Sequence, residues 1–241
     1  MNYPIYIFFG LAPSVIWLLF FLRKDSHPES NATILKIFFF GMLAAIPAAL
    51  IELGIAQELQ KFTLPPSLTR LIYVFLGIAL VEETFKYLVV KKKILRHPEF
   101  DEPLDIMLYM IISALGFAAV ENLLILLPLS HPFQFLETFV VSSFRFVGAT
   151  FLHALSSGLL GYFLAMSFFK PRNRTKLLFS GLLISTFLHG LYNLSIMEIG
   201  NGFKFAVPII VLIGLVIFIS LSFKKVEKLK SICLHDSRQI K

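Results

Sequence analysis

Glutamate and histidine are the side chains best suited to activating water, and this sequence places them inside otherwise apolar stretches. The run Val81-Glu82-Glu83-Thr84-Phe85-Lys86 holds two adjacent carboxylates. Glu82 and Lys86 are four residues apart and share a helix face, so they can pair; Glu83 points about 100° away, towards neighbouring helices. Further on come Glu121-Asn122, then His153 flanked by Ser156, Ser157 and Gly158, then His189 and Asn193, which again share one face. A charge at the middle of a membrane span costs about 2.5–3.5 kcal/mol on insertion scales. Single members of the set have bland explanations: an interfacial Glu82–Lys86 pair, Glu121 and Asn122 as interhelical glue, a lone satisfied histidine. Two histidines and two glutamate sites on four successive apolar runs are harder to explain one by one.

Two imidazoles and one carboxylate around an open position form a known catalytic zinc set. Glu121, His153 and His189 are the candidate ligands, and a carboxylate at Glu82 or Glu83 is the candidate general base. A metal-free alternative uses a buried glutamate to activate water directly. In either case Asn193 could donate to a developing oxyanion. The His-Glu-x-x-His zinc pattern is absent, as are the nucleophile-elbow and Ser-Lys patterns that would give Ser156 or Ser157 a covalent role.

The elements that must position these residues follow from composition. The 241 residues are 57% hydrophobic and 15% charged, with a mean hydropathy of +0.80, far more apolar than a soluble domain. The expectation is an all-α, polytopic membrane bundle. The apolar runs Tyr3–Leu22, Ile34–Gly54, Leu71–Val90, Leu104–Leu127, Phe139–Phe169, Lys176–Met197 and Phe205–Phe223 give about seven spans. The chain reads as one domain, 1–241, with a catalytic core over about 71–198 and a basic tail at 224–241. The first run lacks a basic segment before it and reads as a permanent span.

Basic residues follow the odd runs: Arg23 and Lys24; Lys91, Lys92, Lys93 and Arg96; Lys170, Arg172, Arg174 and Lys176; Lys224, Lys225, Lys228 and Lys230. The loop Pro128–Glu137 has no Lys or Arg. This alternation predicts an outside N-terminus and a cytoplasmic C-terminus, and it explains the net charge of +7 without nucleic acid. The lone Cys233 can form no internal disulfide.

Four motifs in order, Glu82-Glu83 with Lys86, Phe117 with Glu121-Asn122, His153 with Gly161, and His189 with Asn193, resemble the PrsW-type intramembrane proteases. That family is grouped with the CAAX prenyl proteases and bacteriocin-immunity-like membrane proteins. The resemblance spans about Glu82 to Asn193. It implies a hydrolase that cuts a membrane-bound protein, an anti-sigma factor in characterised relatives, in or near a bacterial cytoplasmic membrane. Its site would comprise Glu82, Glu83, Glu121, His153, His189 and Asn193, with zinc or a metal-free glutamate mechanism.

A proton- or ion-coupled transporter and a non-catalytic scaffold are the competing readings; the absence of internal repeats weighs against the transporter. One tension concerns depth. On straight helices Glu83 and Glu121 lie at different distances from their cytoplasmic ends, so they meet only if the fourth helix protrudes, with Tyr109 at the interface.

Overall fold

The computed structural model describes residues 3–24, 29–93, 102–127, 134–198 and 205–229, and every apolar run within them is helical. The helices are α1 (Tyr3–Leu22), α2 (Asn31–Leu59), α3 (Pro66–Ile72), α4 (Leu80–Lys93), α5 (Pro103–Leu126), α6 (Phe135–Val147), α7 (Ala149–Phe169), α8 (Arg174–Glu198) and α9 (Ala206–Val226). No strand occurs among the described residues. The Cys233 expectation and those on Arg96 and Lys230 lie outside them.

Six helical segments are long and apolar enough to cross a membrane, α6 and α7 counting as one. The third of the seven expected spans accounts for the difference. It runs from Pro66 to Lys93, but a π-helical segment, Tyr73–Ala79, separates α3 from α4, and α4 carries Glu82, Glu83, Lys86 and three terminal lysines. The fifth expected span is likewise composite, broken at Gly148, whose φ of −99° and ψ of −93° leave the helical region.

Helix α5 is the axis of the bundle. Nearly every residue from Pro103 to Ala119 is buried, and α7, α2 and α1 pack around it. Small residues permit this closeness: a Cβ on Gly41 would lie 2.2 Å from the carbonyl oxygen of Ser113, and one on Gly116 would lie 2.0 Å from that of Phe38. The α2 and α5 backbones therefore touch, as small residues allow in membrane bundles. Tyr109, expected at an interface, is 1% exposed inside this packing.

The outer surface is apolar instead. Phe8, Leu50, Phe144, Leu183 and Ile210 are each about two-thirds exposed, the pattern expected where lipid rather than water is the solvent. The chain is an integral membrane protein.

Candidate active site

The local structure that presents the two glutamates begins at the π-helical segment. Such wide turns shift the helical phase and recur at functional sites. Here the segment packs on α8: Phe75 stacks with Phe187 at 5.9 Å and presses on Gly190, where a Cβ would lie 2.5 Å from the ring. Gly190 thus lets α8 bring His189 against α4.

Glu82, Glu83 and Lys86 are all fully or nearly buried. The Lys86 ammonium does not choose between the two carboxylates. It donates to Glu82 Oε2 at 3.1 Å, to Glu83 Oε1 at 2.9 Å and to His153 Nδ1 at 2.7 Å, which uses all three of its protons. It also lies 4.8 Å from the centre of the Phe117 ring, a cation–π contact that gives the Phe of the second motif a role.

Spacing showed that Lys86 could pair with Glu82; in the structure it pairs with both carboxylates. Glu83 is the saturated carboxylate: besides Lys86 it accepts from Ser156 at 3.0 Å, Ser157 at 2.8 Å and His189 Nδ1 at 2.9 Å. Among the described residues no hydrogen bond reaches Oε1 of Glu82; its contacts all fall on Oε2. The i, i+3 reach of Lys86 to Glu83 is as short as its i, i+4 reach to Glu82, which spacing alone leaves open.

These partners fix both imidazole tautomers. His153 Nδ1 accepts from Lys86, so its proton sits on Nε2, which faces Glu121 Oε2 at 2.6 Å. His189 donates from Nδ1 to the Glu83 carboxylate, which leaves the Nε2 lone pair free. The two inward nitrogens converge on one atom: His153 Nδ1 is 3.5 Å and His189 Nε2 is 3.7 Å from Glu82 Oε2. The two rings are 5.0 Å apart and near perpendicular.

Glu82, His153 and His189 form the metal-competent group among the described residues, with one ligand atom of each within 4.8 Å of the others. Around a tetrahedral zinc with bonds of about 2.0–2.1 Å, neighbouring ligand atoms stand about 3.3–3.4 Å apart. The donor set fits such an ion, and the outer nitrogen of each histidine already rests on a carboxylate, the usual support for a metal-ligating imidazole. Charge agrees: among the described residues Glu82, Glu83 and Glu121 stand beside Lys86 and Arg145, with Glu52 of α2 within electrostatic reach, so carboxylates outnumber cations around the position. Seating an ion requires the Lys86 ammonium to release His153 Nδ1 and Glu82 Oε2.

The other expected residues take different places. Glu121 meets the glutamate pair across His153, so the two distant-looking carboxylates do share one cluster, but it stands behind the imidazole rather than beside the inward nitrogens. Asn122 is glue: its Nδ2 donates to the Gly10 carbonyl at 3.2 Å and to Thr150 Oγ1 at 3.1 Å, and its Oδ1 accepts from Arg145 Nε. Asn193 is partly buried one turn beyond His189 and makes no hydrogen bond to the cluster among the described residues.

Sequence reasoning missed the roles of Arg145, Ser156, Ser157 and Glu52. Arg145 Nη2 pairs with Glu121 Oε1 at 3.1 Å; a mid-span arginine that demands a counter-ion was the available signal. Glu52 on α2 lies close enough to feel the charges of Glu121 and Lys86.

Comparison with known proteins decides what this geometry belongs to. The family model described as PrsW family intramembrane metalloprotease matches residues 29–221. The chain belongs to the PrsW protease family. It is 34% identical to Protease PrsW of Geobacillus kaustophilus over 185 residues, 76% of each chain. It is 30% identical to Protease PrsW of Oceanobacillus iheyensis over 86% of this chain and 90% of that one. With Protease PrsW of Bacillus subtilis it shares 26% identity over 84% and 87%. No solved structure matches. The chain is therefore an intramembrane peptidase that acts on membrane proteins within the bilayer, rather than a transporter or a scaffold.

Proposed function

We propose that this PrsW-family protease cuts its substrate at a single atom position shared by Glu82, His153 and His189, and that a divalent ion, zinc by its ligand chemistry, sits there. The observation that carries the reading is the pair of gaps at 3.5 and 3.7 Å. They are too wide for direct hydrogen bonds and suited to one bridging atom. When bound, the ion would supply Lewis acidity to a water and to the scissile carbonyl.

The residues around it divide the remaining work. Glu82 Oε1, free of hydrogen bonds among the described residues, takes the proton of the attacking water and passes it to the leaving amine. Glu83, held by four donors, keeps His189 in its tautomer and anchors Lys86. Asn193, on the His189 face of α8, donates to the carbonyl oxygen as charge builds there. The catalytic core spans about 71–198 and 224–241 is a basic cytoplasmic tail. The protein sits in a bacterial cytoplasmic membrane with its N-terminus outside, and its substrate class, carried from the resemblance, is a membrane-bound anti-sigma factor.

One observation favours a second reading. The Lys86 ammonium touches Glu82 Oε2 and His153 Nδ1, the atoms an ion would bind. In that reading Glu82 and the two histidines hold water directly and Lys86 supplies the positive charge. The test is cleavage of a single-pass membrane substrate by purified full-length protein in liposomes, before and after treatment with a chelator. The metal reading predicts stoichiometric zinc, loss of cleavage when it is stripped, and recovery when zinc is returned. Full activity in metal-free protein would overturn it in favour of the second reading.

A further inference from the structure

Helices α2 and α4 pack against each other but leave a groove between them. Its volume is about 250 Å³, and its walls are Phe40, Ala44 and Pro47 of α2 and Phe85, Leu88 and Val89 of α4. Leu43 also lines it and is 42% exposed, so the groove opens onto the lipid-facing surface. The lining is apolar except at one end, where α4 finishes with Lys92 and Lys93. Lys92 is exposed, and the Lys93 ammonium lies 3.8 Å from the centre of the Phe40 ring. No carboxylate lines the groove, and among the described residues neither lysine has a carboxylate partner.

These two lysines belong to a wider pattern. Lys24 lies over Phe20, Lys91 over Tyr87, Arg174 over Phe168 and Lys225 over Tyr162, each 4.8–5.7 Å from the ring centre. Lys225 also donates to the Tyr162 hydroxyl at 2.8 Å. All of these cations follow the odd apolar runs, so basic and aromatic side chains are paired at one end of the bundle. Apolar stems with charged heads, laid over aromatic rings, are what holds a helix end at the level of lipid headgroups. At α2 and α4 this belt meets an apolar groove.

We propose that the α2–α4 groove binds one anionic phospholipid, with an acyl chain along Ala44, Phe85 and Leu88 and the phosphate between Lys92 and Lys93. Charge complementarity selects the headgroup: two ammoniums with no carboxylate beside them favour a phosphate, and each basic residue near an anionic headgroup strengthens binding about 5-fold. Size selects the chain. A helix about 10–12 Å across that rises 5.4 Å per turn displaces about 400–600 Å³ in each turn. The groove therefore holds less than one turn of a substrate span, whereas a slender acyl chain fits along it. Phe85 and Val89 stand on either side of Lys86 in α4, so the lipid rests on the helix that carries Glu82 and Glu83 without touching the cluster's polar atoms.

The experiment is a photo-crosslinking titration of full-length protein in detergent. The probe is phosphatidylglycerol with a diazirine in one acyl chain, and phosphatidylcholine with the same chains is the comparison without net charge. Glycerol phosphate, which has the phosphate without the chains, is the competitor. Peptide mapping should place the phosphatidylglycerol label on residues 40–47 and 85–93, at concentrations about 25-fold below those phosphatidylcholine needs, one step of about 5-fold for each lysine. Lys92→Ala/Lys93→Ala should erase that preference. Lys91→Ala, an exposed position on the same turn that does not line the groove, should keep most of it. Leu88→Trp, which fills the groove, should lower labelling by both lipids, and excess glycerol phosphate should leave the label in place.

Equal labelling by the two lipids, label spread evenly over the lipid-facing helices, or an unchanged preference in the double lysine variant would overturn the proposal. Displacement by glycerol phosphate would make this a site for free phosphate and would also overturn it. So would a single-pass substrate segment that crosslinks to the groove and excludes phosphatidylglycerol, which would assign the groove to the substrate. Should Leu88→Trp fail to fold, the lysine variants decide, since neither lysine is buried. No arm depends on cleavage or on a metal, so the result stands apart from the reading of the active site.

Discussion

At the scale of single residues, the division of labour between two adjacent glutamates is set by who donates to them. Glu83 accepts from Lys86, Ser156, Ser157 and His189, so it is an anchor whose loss propagates. Glu83→Gln removes one counter-charge from a buried lysine and swaps an acceptor for a donor. Breaking a buried pair in this way costs about 3–5 kcal/mol, whereas Ser157→Ala removes one neutral donor and should cost about 1–3 kcal/mol as an acceptor is left underused. Thermal unfolding in detergent should rank Glu83→Gln well below Ser157→Ala, and Ser157→Ala below wild type. Equal melting of Glu83→Gln and wild type would show that Glu83 anchors nothing. This division was not legible in the sequence. Helical spacing showed that Lys86 could reach Glu82, but the serines one turn beyond His153 declare themselves as donors to Glu83 only when α7 and α4 are brought together.

At the scale of elements, what was legible was the apolar runs, and what was hidden was where they break. Hydropathy reads length and cannot register the π-helical segment before Glu82, which lies within apolar sequence, and the break at Gly148 falls in a run that stays apolar on average despite Ser142, Ser143 and Arg145. Residue types and the resemblance both put Glu121 among the candidate site residues, and the fold brings it against His153. Its place behind His153 rather than among the ligand atoms depends on the rotation of α5 against α7, which spacing along either helix does not specify.

The break itself makes a prediction. A Cβ at Gly148 would lie 2.2 Å from the Tyr192 hydroxyl oxygen and 2.8 Å from the Phe144 carbonyl. Gly148→Ala should therefore destabilise the protein by about 1–3 kcal/mol, the usual cost of overpacking. Adding Tyr192→Phe removes the hydroxyl and should restore part of that loss. Unfolding of the single and double variants checks this; a double variant no more stable than Gly148→Ala would place the strain at the Phe144 carbonyl instead.

At the scale of the whole molecule, the bundle is a lipid-facing shell around a polar centre. α4, α5, α7 and α8 each contribute ionisable groups, α6 contributes the arginine that balances one of them, α2 brings Glu52 within electrostatic reach, and α1 and α2 pack against α5. Lipid offers these groups no partners, so they pair largely with one another, as buried charge in a membrane must. The family and fold could be read from four short motifs in order; that Glu82 rather than Glu121 stands beside the inward nitrogens of the two histidines needed three helices in register. The account's central claim is that Glu82, His153 and His189 act on one shared atom as a unit. Residues that act as a unit lose most of their effect at the first removal. The direct test is the cleavage rate of a membrane substrate in liposomes for Glu82→Ala, His153→Ala, His189→Ala and the triple variant. The prediction is that each single variant falls to the same floor as the triple. Losses that multiply from single to triple, or near-normal cleavage by any one of the three, would contradict it.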